Sequence, residues 1–193
     1  DGVVELFEAG VITNKYNNLN PGKLTACFLM GTQKLYDFAD NNPVVEMKSV
    51  DYTNNIMVAG RLNNLVSINS CIQATVFGEV CSDTIGPRQF SGTGGQVDFV
   101  RAASMSPGGK SIIAMLSTAK DDTVSKIVVR LDEGAAVTTS RNDVHYIVTE
   151  YGIADLRGKS LRERAGLMIN IAHPKFREKL LKEVAEKYRF PNV

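Results

Sequence analysis

Apolar positions in this chain fall in short stretches, and their spacing switches between the two-residue repeat of a strand and the wider repeat of a helix. Val3 to Ala9 has helical spacing, with Asp1 at its capping position and Gly10 placed to end it. Val11 to Pro21 is rich in Asn and predicts a loop, and the apolar run Leu24 to Met30 predicts a buried strand. Gln33 to Ala39 predicts a helix with Leu35 and Phe38 inward, broken by Asp40-Asn41-Asn42-Pro43. Val44 to Met47 predicts a brief strand, Asp51 to Asn55 a polar turn, and Ile56 to Gly60 one helical turn.

Leu65 to Ser70 and Ile72 to Val80 predict consecutive strands, and Asp83 to Gln89, with Gly86-Pro87, a turn. Gln96 to Ala103 predicts a helix. Ser111 to Thr118 and Ser125 to Leu131 predict an antiparallel hairpin with Lys120 at its tip, and Gly134 to Thr139 an extended piece. Val144 to Val148 predicts a strand ending at Thr149-Glu150-Tyr151-Gly152. Ser160 opens a helical stretch in which Leu161, Ala165, Met168 and Ile169 share a face. Pro174 opens a final helix to about Arg189. Strands alternating with helices predict an α/β fold, a mainly parallel sheet flanked by helices, with the hairpin as an antiparallel addition.

Composition narrows the function classes. The chain has 193 residues, 44% of them hydrophobic, which suits a single domain (1–193) with a buried core. A net charge of +1 with interspersed signs argues against a nucleic-acid surface. No apolar run reaches the ~18 residues of a membrane span. Cys27, Cys71 and Cys81 are odd in number and lack C-x-x-C spacing, so the expected setting is cytoplasmic, with reduced thiols. Asp1-Gly2 leads straight into an apolar element, the pattern of a fragment of a larger protein.

The candidate chemistry centres on Ser91-Gly92-Thr93-Gly94-Gly95-Gln96. A glycine loop feeding a helix leaves backbone N–H groups unpaired at the positive end of the helix dipole. Such a corner holds a phosphate, a carboxylate or an acyl-transfer oxyanion. It also serves plain helix packing. Val97 breaks the G-x-G-x-x-G fingerprint and no Gly-Lys-Ser/Thr is present, which sets aside dinucleotide and triphosphate loops. Asn69, at a strand end, is either an amide donor or a turn residue. Lys120 is either solvated or a phosphate contact, and Arg141 is similarly open. Glu150 and the two histidines, His145 and His173, read as structural, the histidines as core or capping residues. The histidine spacing offers no metal site.

Several segments together carry a family likeness. They are Asp1-Gly2-Val3-Val4-Glu5-Leu6, Ser67-Ile68-Asn69-Ser70, Ser91 to Phe99, and Ser117-Thr118-Ala119-Lys120. Val137-Thr138-Thr139-Ser140-Arg141, Val148-Thr149-Glu150-Tyr151-Gly152 and Ile171 to Arg177 continue it. Over essentially its whole length the chain resembles the C-terminal half of the acetyl-CoA hydrolase and 4-hydroxybutyrate CoA-transferase family, class I CoA-transferases. The likeness is to the 4-hydroxybutyrate branch rather than the longer succinyl-CoA:acetate branch. The resemblance implies transfer of coenzyme A between an acyl-CoA and a short carboxylic acid such as acetate. It runs through a glutamyl-CoA thioester whose glutamate lies upstream of Asp1; Glu5 and Glu8 are not that residue. It also implies Asn69 and the Gly95 N–H as oxyanion-hole donors, and Ser91, Gly94, Gly95 and Lys120 as coenzyme A contacts. No metal is expected, and the implied partners are the N-terminal half of the same enzyme and a second copy in a homodimer. An acyl-CoA hydrolase and a non-catalytic anion-binding module are the rival readings.

Overall fold

A computed structural model describes residues 1–190. Helix α1 (Gly2–Glu8) starts at Asp1, whose carboxylate accepts from the Thr32 N–H at 3.0 Å rather than capping its own helix. Strand β1 (Leu24–Ala26), helix α2 (Gln33–Ala39) and strand β2 (Val45–Met47) follow, with β1 and β2 paired in parallel. The ring of Phe7 meets that of Phe38 edge-on at 5.5 Å, joining α1 to α2. The predicted turn at Asp51 is instead a short helix, α3 (Val50–Thr53), followed by α4 (Ile56–Ala59). Asn55 caps α4 by accepting from the Met57 N–H at 2.9 Å.

The next strands are β3 (Val66–Asn69), β4 (Gln73–Thr75), β5 (Val80–Cys81), β6 (Thr84–Ile85) and β7 (Arg88–Gln89). Ile72 to Val80 is therefore two antiparallel strands rather than one. Gly78, at φ +91°, makes the turn, and a Cβ there would stand 2.9 Å from Leu156 Cδ1. The predicted turn around Gly86-Pro87 is the tip of the small β6–β7 hairpin.

Helix α5 (Gln96–Met105) runs two residues further than predicted. After it come β8 (Lys110–Ala114), β9 (Thr118–Ala119), β10 (Val124–Ser125), β11 (Ile127–Val128), β12 (Tyr146–Thr149) and β13 (Gly152–Asp155). Helices α6 (Leu161–Asn170) and α7 (Pro174–Tyr188) end the fold.

The predicted Ser111–Leu131 hairpin is corrected. Only its tip, β9 with β10, pairs antiparallel; β8 enters the main sheet and β11 runs parallel to β4. The main sheet has the order β13-β12-β8-β3, with β3, β8 and β12 parallel and β13 an antiparallel edge. This is the expected α/β architecture with mainly parallel pairing in its principal sheet. One face of that sheet is sealed: Ser67 and Ser111 lie side by side beneath α5, and Ile113, Ile147 and Ala154 are fully buried. The other face is apolar and open, with Ile68 70% and Ile153 66% exposed.

Candidate active site

Three strands and a helix bring the predicted residues to one edge. Helix α5 is fixed at its carboxyl end by Ser106, whose hydroxyl donates to the Leu62 carbonyl (2.5 Å) and accepts from the Leu65 N–H (3.0 Å). That end sits at the amino end of β3. Ten helical residues rise about 15 Å, so the amino end of α5, at Gly95, lies at the carboxyl ends of β3 and β8. Asn69 is the last residue of β3. Ser117 and the β9–β10 hairpin follow the carboxyl end of β8, and Glu150 follows that of β12. This is the edge at which open α/β sheets bind their ligands.

Gly95 is the N-cap of α5, at φ −84° and ψ 12°. These angles suit any residue, so its lack of a side chain answers to space. A Cβ would run into the Asn54 carboxamide and lie 3.2 Å from Phe99 Cε2. Asn54 Nδ2 in turn donates to Asp98 Oδ2 at 3.3 Å. Gly92, Thr93 and Gly94 are exposed, and a Cβ at Gly92 or Gly94 would meet nothing within 4 Å. The loop is therefore open to another molecule. Its first residue is held: the N–H groups of Phe90 and Ser91 donate to the Asp83 carbonyl at 2.8 and 3.2 Å. Gln89 Nε2 donates to the Ser91 carbonyl at 2.5 Å.

The Thr138-Thr139 pair braces this corner. Thr138 Oγ1 donates to Asp83 Oδ1, and Gln96 Nε2 donates to Thr139 Oγ1 at 3.2 Å. Asn54, Asp83 and Asp98 escaped the sequence reading, since no motif marks a residue that supports a loop from another element. Asn69 is partly buried, and one N–H of its carboxamide donates to Ser67 Oγ at 2.8 Å. A carboxamide has two such donors, so one remains for a ligand.

Lys120 is exposed at the hairpin tip with φ +52°, followed by Asp121 at +50° and Asp122 at +59°. Three consecutive non-glycine residues in the left-handed region are uncommon. Thr123 ties the tip by donating from its N–H and hydroxyl to the Lys120 carbonyl at 3.1 and 2.6 Å. Among the described residues Lys120 makes no ion pair, which leaves its ammonium to solvent.

The remaining candidates all have partners within the fold. Glu150 accepts from Ser117 Oγ at 2.5 Å and from the Ser117 N–H at 2.9 Å. Burial opposes its charge, but those hydrogen bonds outweigh it and hold the carboxyl below its usual range. Arg141 pairs with Glu79 at 3.5 Å, and its carbonyl accepts from the buried Arg164 at 2.8 Å. His173 caps α7, Nδ1 accepting from the Lys175 N–H at 3.2 Å. His145 is a core residue, its pKa lowered by burial and by nearby Arg157. Cys71 and Cys81 are buried, and burial pushes the Cys71 thiol up to about 12. Among the described residues no three His, Cys, Asp or Glu side chains gather as a metal site, and no helix is long and apolar enough to cross a membrane.

Residues 31–184 match the acetyl-CoA hydrolase/transferase C-terminal domain. The chain belongs to that family. It is 60% identical to the 4-hydroxybutyrate coenzyme A transferase of Clostridium kluyveri, over 97% of this chain and 44% of that protein. It is 49% identical to the succinyl-CoA:acetate/propanoyl-CoA:succinate CoA transferase of Fasciola hepatica, over 98% of this chain and 40% of the relative. Among solved structures, the 4-hydroxybutyrate CoA-transferase of Porphyromonas gingivalis superposes with a TM-score of 0.84 at 43% identity, over 97% of this chain and 43% of that one. The chain thus spans less than half the length of these relatives. The family likeness read from the sequence holds, and the fold agrees with that of a CoA-transferase C-terminal domain.

Proposed function

We propose that this chain is the C-terminal half of a CoA-transferase that exchanges coenzyme A between a 4-hydroxybutyryl- or butyryl-type acyl-CoA and a short carboxylic acid such as acetate. The observation that carries the reading is the shared edge. The N–H groups at the start of α5, unpaired among the described residues, the Asn69 carboxamide and the open glycine loop all stand at the carboxyl ends of parallel strands. Negative charge builds on a thioester carbonyl oxygen when a carboxylate attacks it. Main-chain amides aimed from a helix N-terminus stabilise that charge without having to reorganise. In this reading Gly95 N–H and Asn69 Nδ2 hold the oxyanion. Ser91, Gly94 and Gly95 line the coenzyme A path, and the free ammonium of Lys120 meets a phosphate.

The attacking carboxylate comes from the N-terminal half. It forms an acyl–glutamyl anhydride with release of the CoA thiolate, which then attacks the glutamyl carbonyl to give the glutamyl-CoA thioester and free acid. A second acid takes the CoA by the reverse steps. Glu5 and Glu8 are not assigned this role; Glu5 lies on α1 in an exposed pair with Lys34 at 3.3 Å. The intact enzyme works as a homodimer in this proposal.

The test is acetyl-CoA consumption by the complete enzyme with and without added butyrate or 4-hydroxybutyrate. A transferase turns over only with the acid and yields its CoA ester. Equal loss of acetyl-CoA without any acid supports the hydrolase reading instead. Binding of coenzyme A with no turnover under either condition supports a non-catalytic module.

A further inference from the structure

Strand β3 has two unlike faces. Val66 and Ile68 look out on the open side of the sheet, while Ser67 and Asn69 turn inward, where α5 packs on the strand. That inner layer is apolar. The register places Asn69 beside Ile113, then Ile147, then Ala154, all of them fully buried. None of these side chains can offer the Asn69 carboxamide a hydrogen bond. Its one side-chain partner among the described residues is Ser67 Oγ, which accepts from Nδ2 at 2.8 Å.

Ser67 is 5% exposed. A hydroxyl in an apolar layer costs stability unless it is bonded, and an alanine would fill the same place without that cost. The terminal torsion of an asparagine is broad, so no sharp rotamer fixes the plane of its amide. The bond to Ser67 therefore sets the direction in which the second Nδ2 proton points. Oxyanion stabilisation depends on donors that are aimed before charge develops. Such donors are held by neighbours whose own side chains are locked by packing, and Ser67, sealed beneath α5, is locked in this way.

Ser111 offers a comparison within the same layer. It stands opposite Ser67 in the register and is fully buried, and its Oγ has no hydrogen-bond partner among the described residues. It matches Ser67 in size and burial and lacks the contact with Asn69.

We propose that Ser67 is a positioning residue for the oxyanion hole. Its hydroxyl holds one Nδ2 proton of Asn69 so that the other faces the thioester carbonyl oxygen. This inference rests on the proposed reading of Asn69 as an oxyanion donor, and it gives Ser67 no contact with substrate. Ser67 then acts on kcat rather than on binding, because an aimed proton matters most once charge has built up on the oxygen.

The experiment is steady-state transfer by the complete enzyme carrying Ser67→Ala, Ser67→Thr, Ser111→Ala, Asn69→Ala, or Ser67→Ala and Asn69→Ala together, with thermal unfolding of each. Ser67→Ala lowers kcat about three- to tenfold, the equivalent of one neutral hydrogen bond, and leaves KM for acyl-CoA unchanged. Ser67→Thr keeps the hydroxyl and restores kcat. Ser111→Ala keeps the wild-type kcat. In the Asn69→Ala background Ser67→Ala has no further effect, since no carboxamide is left to aim. Wild-type kcat in Ser67→Ala beside a slow Asn69→Ala overturns this inference alone. So does a Ser67→Thr as slow as Ser67→Ala, an equal loss in Ser111→Ala, or a fully additive loss in the double variant, each of which shows that Ser67 acts through packing. Wild-type kcat in Asn69→Ala overturns the oxyanion reading itself. Should Ser67→Ala fail to fold, Ser67→Cys, close in shape and only a weak acceptor, takes its place in the same cycle.

Discussion

Replacing Gly95 by alanine tests the close packing at the candidate oxyanion corner. Gly95 has backbone angles open to alanine, so the helix start itself is not strained. On that account alone the substitution stabilises by about 0.4–1 kcal/mol through the unfolded chain. The new Cβ, however, meets the Asn54 carboxamide and stands 3.2 Å from Phe99 Cε2. Asn54 has to move, which breaks its bond to Asp98 at 3.3 Å. Loss of that bond costs about 0.5–1.5 kcal/mol, and the overpacking about 1–3 kcal/mol. The net expectation is a loss of roughly 1–3 kcal/mol, or about 2–10 °C in Tm for a chain of this size. Urea unfolding of Gly95→Ala, Asn54→Ala and the double variant measures it. With Asn54 already shortened the methyl has room, so Gly95→Ala becomes close to neutral and the coupling energy is at least about 1 kcal/mol. If Gly95→Ala costs the same in both backgrounds, the close approach of Asn54 is not why glycine stands there.

Three further outcomes follow from the geometry. Glu150→Gln removes a carboxylate whose pKa is lowered in the folded state. Its stabilisation is therefore present above the ordinary glutamate value and lost as pH falls through the lowered one. The wild type exceeds Glu150→Gln in stability at pH 7, and the gap narrows steadily in acid melts. Cys71, with its thiol near 12, resists a thiol reagent at pH 8 in the native protein and reacts only on unfolding; prompt modification at that position contradicts its burial. Lys120→Ala in the complete enzyme raises KM for acyl-CoA about tenfold by removing one charged phosphate contact, and an unchanged KM removes Lys120 from the site.

Much of the fold could be read from spacing. The helix after the glycine loop, the Pro174 start of α7 and the apolar strand ending at Asn69 all depend on local patterns, and all are present. Pairing was harder, because alternation shows that a segment is extended and not which neighbour it bonds. Thus Ser111 to Thr118 reads as one arm of a hairpin, although β8 is a central parallel strand. Strand β13 went unread since Thr149 to Gly152 signals a turn and only Ile153 and Ala154 follow as apolar residues. The break at Gly78 did leave a signal, a glycine inside a strand pattern. Gly95 and Asn69 stand out as candidates because their residue types carry chemistry. Asn54, Asp83 and Asp98 do not, because bracing is a property of distant elements meeting in space.

In the proposed reaction, thioester charge rests on the Gly95 N–H and the Asn69 carboxamide. The most direct measurement is steady-state transfer by the complete enzyme carrying Asn69→Ala, with its fold verified by circular dichroism. Removing one oxyanion donor should lower kcat by about 10²–10³-fold while KM for acyl-CoA changes little. A kcat close to that of the wild type would show that the Asn69 carboxamide does not hold the oxyanion.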